Sequence, residues 1–418
     1  MKFTHLWGTL FSLFVAASNA APILSLSLTA AQRLAANDSP QIDAQTASLR
    51  AAQEGRLGAA ELSDPKLIVG LDNLPVDSVD RFSLTRDFMT MRKIGFAQDF
   101  VRGEKLKLRG DRADAEIRKE AALLSLAQVN LKRDVALAWI DRYFAEQQRA
   151  RLNELVRESE LQIASTQASL AGAKGAAAES IAARLVRVQL ADRIIDADRL
   201  VARAEANLAR FVGTSARLPL AAAPPFDQLA HRHADLIAGL ANHPHLAMYA
   251  PMQAMADTEV RLADAAKHPD WSLELTYARR GPAFSNMVSI GARIDLPIFQ
   301  STRQDPAIGV KLAQANQVRA QAEAARRAHA AEIESMLADW EAAKRRVAKY
   351  ANEILPLART RSQVALAAYS GGKGDLATVL DARRAEIDLS MSQLQMEADL
   401  AHAWANLNFL LLDAKDPS

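Results

Sequence analysis

The feature that most constrains this chain is that it repeats itself. Leu34-Ala35-Ala36-Asn37-Asp38-Ser39-Pro40-Gln41-Ile42 near the start returns in the middle as Leu240-Ala241-Asn242-His243-Pro244-His245-Leu246. Pro40 and Pro244 are 204 residues apart, and so are Pro65 and Pro269. Trp139 in Leu137-Ala138-Trp139 pairs with Trp340 in Leu337-Ala338-Asp339-Trp340, and Gly172-Ala173-Lys174-Gly175 pairs with Gly371-Gly372-Lys373-Gly374, at offsets of 201 and 199. Alanine-rich helices resemble one another everywhere, but prolines and Gly-Lys-Gly turns are not helix interior. Four landmarks in one order with so little drift mark a duplication. The join falls in Leu218 to Pro225, where Ala221-Ala222-Ala223-Pro224-Pro225 reads as a linker. The expected organisation is one structural repeat over 21–225 and a second over 226–418, each with a helix, a strand pair and a long helical hairpin.

Residues 1–20 read as a secretory signal peptide. Lys2 is followed by an apolar run from Leu6 to Ala17, and small residues lead to a cleavage site before Ala21. That run is about 12 residues, whereas a spanning helix needs about 20, so a retained anchor is the weaker alternative. No later stretch is long and apolar enough to span a bilayer as a helix; Leu407 to Leu412 is a short cluster beside Asn408 and Asp413. Any insertion into a membrane must therefore use strands. The chain has no cysteine, which excludes disulfides, thiol chemistry and a lipid-modified cysteine after the cleavage site. Lys plus Arg number 51 against 49 Asp plus Glu, so the charge gives no reason to expect nucleic acid or another polyanion as a partner.

The helical hairpins can be read from periodicity. Ile333, Met336, Trp340, Ala343, Val347, Tyr350, Ile354 and Leu357 recur at alternating spacings of three and four, the period of a coiled-coil seam. After the turn at Gly371 to Gly374, the residues Ile387, Met391, Leu394, Ala398, Ala401 and Ala405 keep that spacing on a return helix. A helix from Val310 to Tyr369 would be roughly 90 Å long, too long for a compact globule, with Pro356 bending it without ending it. The first half matches, with a helix from about Glu104 to Leu170, a turn at Gly172 to Gly175 and a return to Phe211.

Strands precede each long helix. Trp271, Leu273, Leu275 and Tyr277 alternate with polar residues, and after Arg280-Gly281-Pro282 so do Val288, Ile290, Ala292, Ile294 and Leu296. An apolar face on such strands covers a core in a soluble protein, whereas in a transmembrane barrel it faces lipid and the polar face lines water. In the first half Leu67, Val69 and Leu71 alternate cleanly. Phe88 to Phe100 carries Arg92 and Lys93 side by side and reads as a strand only through its counterpart. Four strands per chain have open edges that lipid does not tolerate. Closure needs several protomers, and a homotrimer would supply twelve strands. The fold class is mostly α with a small transmembrane β-barrel contribution.

These residues together resemble the TolC family of outer membrane factors, the exit ducts of tripartite efflux and type I secretion systems. The resemblance spans the mature chain. It rests on the starts at Asn37 and Asn242, the paired strand insertions, and Tyr369-Ser370-Gly371-Gly372-Lys373-Gly374-Asp375-Leu376 leading to Val379-Leu380-Asp381-Ala382. It implies a homotrimer in the outer membrane that extends into the periplasm and conducts substrates passively. The implied partners are a periplasmic adaptor, an inner-membrane pump, expected to be of RND type, and outer-membrane lipid. The hairpin turns at Gly172, Lys174, Gly175, Gly372, Lys373 and Gly374 then match the tip where the adaptor docks. Asp381 looks like an acidic residue of the family's periplasmic aperture, with Glu179 in the corresponding place of the first hairpin. Threefold symmetry would bring copies of each carboxylate towards one axis, favouring cations. The sequence departs from the family pattern at Thr378, where a second acidic residue often stands.

Asp72-Asn73-Leu74-Pro75-Val76-Asp77 and Phe88-Met89-Thr90-Met91-Arg92 look more narrowly like members paired with heavy-metal resistance pumps. His231, His233, His243 and His245 suit borderline or soft metals, but two histidines without a third ligand are more often surface residues. No cofactor is called for and no metal site is assigned. Gly371 to Gly374 lacks the phosphate-loop spacing, and neither His-Glu-x-x-His nor Gly-x-Ser-x-Gly occurs, so the chain does not read as an enzyme. The competing readings are a type I secretion exit channel and a soluble periplasmic coiled-coil scaffold or adaptor.

Overall fold

The computed structural model describes residues 25–171, 177–230, 239 and 243–410. Helix α1 (Leu28–Asn37) is capped by Ser27, whose Oγ accepts the Ala30 N–H at 3.1 Å. Ser39 caps α2 (Pro40–Ala59) in the same way, accepting from Ile42 N. Pro40 therefore stands at the first helical position, where a missing N–H costs nothing. Pro244 does the same for the short α5 (Pro244–Ala247), with His243 as its cap. The two prolines that set the 204-residue offset thus have one job.

Four strands form one antiparallel sheet in the order β1 (Lys66–Asp72), β2 (Met91–Phe100), β3 (Trp271–Arg279) and β4 (Met287–Ile294). The halves join at β2 and β3, where Ile94 faces Tyr277 and Phe96 faces Leu275. In this register Leu67 and Val69 lie beside Phe96 and Ile94, and Leu275 and Tyr277 lie beside Ile290 and Val288. One face is thus a continuous apolar band, and it is uncovered, with Ile290 74% and Val69 73% exposed. On the other face Lys93 pairs with Asp72 at 2.9 Å, and Lys66 with Asp99 at 2.6 Å.

The strand β2 starts at Met91 and not at Phe88. Asp87 Oδ1 accepts the N–H groups of Met89 and Thr90, a turn that spends the donors a ladder would need. Likewise β4 ends at Ile294, ahead of Leu296 and Pro297. The side-by-side Arg92 and Lys93 point to opposite faces, as the pleat requires. Arg92 reaches the Arg280 carbonyl at 3.1 Å while Lys93 meets Asp72.

The long helix α3 (Gly103–Ala171) runs 69 residues, about 100 Å, and α4 (Ala177–Val212) returns beside it. In the second half α6 (Tyr249–Ala265) leads into β3 and β4. The long helix then runs as α7 (Gln304–Lys349), a π-helical turn at Tyr350–Ile354, and α8 (Leu355–Ser370), before α9 (Leu376–Asn408) returns. Pro356 accounts for the π turn. It lacks an N–H, and its ring would clash with the carbonyl of residue 352 in a regular helix, so the preceding turn widens. The extra residue shifts the seam. Leu355 and Ser362 are buried, whereas Leu357, where the stripe was expected to continue, is 70% exposed.

The helical layer is ordered α4, α3, α9, then α7 and α8. Its largest core gathers Val135, Trp139, Leu208, Ala401 and Trp404 against Leu26 and α1. Trp139 Nε1 donates to the Leu26 carbonyl and Trp340 Nε1 to the Phe226 carbonyl, each at 3.0 Å. Each tryptophan therefore fastens the extended segment that opens its own half. Between sheet and helices, Lys105 Nζ binds Asp270 Oδ2 at 2.8 Å and the His268 carbonyl at 2.9 Å. That junction ties the start of α3 to the start of β3.

Candidate functional site at the hairpin tip

The second hairpin turns through residues 371–375. The Gly372 backbone adopts φ of +71°, a left-handed conformation that glycine takes without penalty. The Lys373 N–H reaches back to the Ala368 carbonyl at 2.8 Å and the Gly372 N–H to the Tyr369 carbonyl at 3.0 Å, which closes α8 in a Schellman motif. Gly374 passes so close to α8 that a Cβ there would sit 3.2 Å from Ala368 Cβ. Asp375 then opens α9, its Oδ1 accepting the Thr378 N–H at 2.7 Å. That backbone bond, followed by the Thr378 side chain, holds the Asp375 carboxyl below its usual value. Thr378 thus sits inside the helix cap, and the carboxylate nearest the turn belongs to Asp375.

Asp381 lies two turns into α9, exposed, with no ion-pair partner among the described residues. The spacing from Asp381 to Arg384 and Asp388 is three, then four, so all three share one face of α9. Arg384 Nη2 binds Gln189 Oε1 of α4 at 2.7 Å, and Arg193 Nη1 of α4 binds Asp388 Oδ1 at 2.9 Å. From α3, Arg151 Nε donates to the buried Ser390 Oγ at 3.0 Å. Beside these bridges Leu152, Leu155, Leu190, Ala197 and Ile387 form a separate apolar cluster spanning α3, α4 and α9. The two hairpins are thus clamped by a polar row and an apolar row that begin about two to three turns from the second tip and extend to about six turns from the first.

The expected site residues fall into three places. Gly372, Lys373, Gly374 and Asp381 lie together at the second tip, and Glu179 stands in the first turn of α4. Gly172, Lys174, Gly175, His231 and His233 lie outside the described residues. His243 and His245 lie far along the chain from the tip, in α5, where they meet His329. Sequence reasoning passed over Gln189, Arg193, Arg384, Asp388 and His329. The three-four spacing from Asp381 carried a signal for Arg384 and Asp388, whereas their partners on α4 are contacts across about 195 residues, with no local pattern.

Among the described residues no helix is long and apolar enough to cross a membrane. Nor does any group of three or more His, Cys, Asp or Glu residues there stand ready to hold a metal ion.

Residues 238–411 match the family model described as outer membrane efflux protein. No curated protein sequence matches the chain. Among solved structures, the fold is similar to CusC, described in terms of folding and transmembrane channel formation, at TM-score 0.78 and 17% identity over 91% of this chain and 90% of that one. It is similar to the outer membrane protein VceC of Vibrio cholerae at TM-score 0.71 and 18% identity, over 90% of this chain and 96% of that one. It is also similar to the open state of the MtrE outer membrane channel of Neisseria gonorrhoeae, at TM-score 0.76 and 14% identity over 92% and 88% of the respective chains. At such identities the likeness is one of fold.

Proposed function

We propose that the chain is an outer membrane factor of the TolC family, a reading supported by the family-model match over residues 238–411 and by the likeness of its fold to outer-membrane channels, and that three copies close into the exit duct of a tripartite efflux system. The observation that carries this reading is that both lateral edges of the protomer are unfinished. Strands β1 and β4 each have one unpaired edge, and an open sheet edge has no stable place in lipid. The outermost helices match this. Beyond its covered seam, α4 exposes Ile181, Leu185, Val188 and Ile195 at coiled-coil spacing, and α8 exposes Leu357 and Val364 seven residues apart.

First-half elements form one edge and second-half elements the other, so copies meet head to tail and the assembly closes as a ring. The apolar band of the sheet then faces lipid and the Lys93–Asp72 face lines water. Trp271, stacked on Phe100 at 4.2 Å, marks the helix-side interface of the barrel. Gel filtration and cross-linking of the mature protein in detergent test the assembly. A trimer is the expected result, and recovery of a soluble periplasmic monomer would sink the reading.

The aperture is assigned to the tip, with Asp381 facing the axis in three copies and Glu179 contributing from the first hairpin. The rows Arg384–Gln189 and Arg193–Asp388 hold the hairpins together, and the turns at Gly172–Gly175 and Gly372–Gly374 receive the periplasmic adaptor. Energy comes from an inner-membrane pump of RND type, which selects the cargo. Asp381→Ala is expected to raise single-channel conductance and lower cation preference; an assembled trimer with unchanged conductance would remove Asp381 from the gate.

For cargo, heavy-metal ions are favoured over drugs by the resemblance of Asp72–Asp77 and Phe88–Arg92 to metal-resistance members. Deletion should sensitise cells to copper, silver, zinc, cobalt or cadmium and not to dyes. Sensitivity to dyes alone would favour a drug pump, and loss of a secreted protein a type I secretion system.

A further inference from the structure

The four strands carry charged side chains that the pleat sorts by face. Lys66, Asp72, Lys93, Asp99, Glu274 and Arg293 stand on the face that lines water in the proposed duct. Arg92 and Arg279 stand on the apolar face, the only charges of the strands to do so, and they are direct partners across β2 and β3. Two like charges side by side cost stability unless a counter-charge answers them. The strands supply none, because their carboxylates are all on the other face. Arg92 Nη2 donates to the Arg280 carbonyl at 3.1 Å, and its Nε is enclosed without a partner. Arg279 is exposed and makes no ion pair among the described residues. Of the acids that border β2, Asp72 pairs with Lys93, and Asp87 accepts the N–H groups of its own turn.

The row formed by Leu71, Arg92 and Arg279 is the last on the apolar face, at the end away from the long helices. Ile94 and Tyr277 follow, then Phe96 and Leu275, down to the stack of Phe100 on Trp271. From Arg92 to Phe100 the strand runs about 26 Å. At the tilt of a barrel strand this is about 20 Å of depth, close to the height of an apolar band. With Trp271 at the helix-side interface, both guanidiniums fall at the level of the opposite headgroups.

We propose that Arg92 and Arg279 form a binding site for the phosphate of an anionic lipid in the outer leaflet, whose acyl chains lie on the apolar band beside Ile94 and Tyr277. The inference rests on the outer-membrane reading above, which turns this face to lipid. Cross-strand partners hold their Cβ atoms about 5 Å apart, so two planar guanidiniums converge on one headgroup and meet its oxygens with paired N–H donors. The phosphate supplies the negative charge that the chain withholds from this face. Both arginines come from the middle of the sheet and not from the open strands β1 and β4, so the site is complete in one chain.

Native mass spectrometry of the mature protein in non-ionic detergent tests the site, with bisphosphorylated lipid A, fully dephosphorylated lipid A and inorganic phosphate as probes. The wild type should bind the dephosphorylated lipid at least about tenfold more weakly than the phosphorylated one. Arg92→Gln combined with Arg279→Gln should erase that preference. The site is overturned if the wild type does not distinguish the two lipids, or if the variant still does. Inorganic phosphate at the same concentration should not displace the lipid, since it gains nothing from the apolar band; displacement would indicate a free-anion site and overturn the lipid assignment. Because one chain holds both arginines, the comparison reads the same in monomer and trimer. Failure to form a trimer therefore rejects the duct, whereas loss of the phosphate preference rejects this site.

Discussion

Single residues act here mainly by permitting close approach. Gly95 sits in the middle of β2, where a Cβ would fall 2.4 Å from Thr276 Cγ2 and 2.5 Å from the Leu275 carbonyl. The junction of the two halves therefore depends on a missing side chain. Gly95→Val should cost about 1–3 kcal/mol through overpacking, visible as a lower midpoint when the assembled protein is heated; an unchanged midpoint would show that β2 and β3 can move apart freely. Trp139 is the opposite case, fully buried and hydrogen-bonded to Leu26. Trp139→Phe keeps most of its volume but removes one of two donors to the Leu26 carbonyl, which retains the Ala221 N–H at 3.2 Å. The expected loss is about 0.5–1.5 kcal/mol, and protease cleavage near residue 26 should appear before global unfolding.

At the scale of elements, the long helices are decided by seams, and the seams by where the backbone is allowed to slip. The expected stripe is followed through Ile354 and then departs from it. Pro356 forces a wider turn, and everything downstream rotates by about one residue, which buries Leu355 and exposes Leu357. The counterpart α3 has no proline and runs unbroken, so the two long helices share a plan but only the second carries this shift of its seam. The cap of α9 is another decision local to an element. Asp375→Ala should remove about 1 kcal/mol from the first turn, and the amides of Leu376–Val379 should exchange roughly fivefold faster, with the middle of α9 unchanged.

At the scale of the whole molecule, the chain has two open sides, at β1 with α4 and at β4 with α8, and under the proposed trimer its exposed apolar surface is covered by neighbouring copies. Leu185→Asp combined with Val188→Asp charges the uncovered seam of α4 while leaving its packed seam, Ala183, Leu190 and Ala197, intact. The variant should keep its helix content by circular dichroism and lose at least about tenfold in trimer yield, since a charge buried between helices costs several kcal/mol. Full trimer yield would mean that α4 does not meet a neighbouring copy.

What the sequence determined by itself is what local chemistry dictates: the 204-residue offset, the second hairpin's turn at Gly371–Gly374, the helix starts at Pro40 and Pro244, and the alternation of β1, β3 and β4. Each of these is written within a few residues, in φ preferences or in periods of 2 and 3.5. What only the tertiary structure decided is which surfaces meet. The pairing of β2 with β3, the rows joining Arg384 to Gln189 and Arg193 to Asp388, and the approach of His329 to His243 unite residues far apart in the chain. They depend on how long rods pack side by side, and no local period records that.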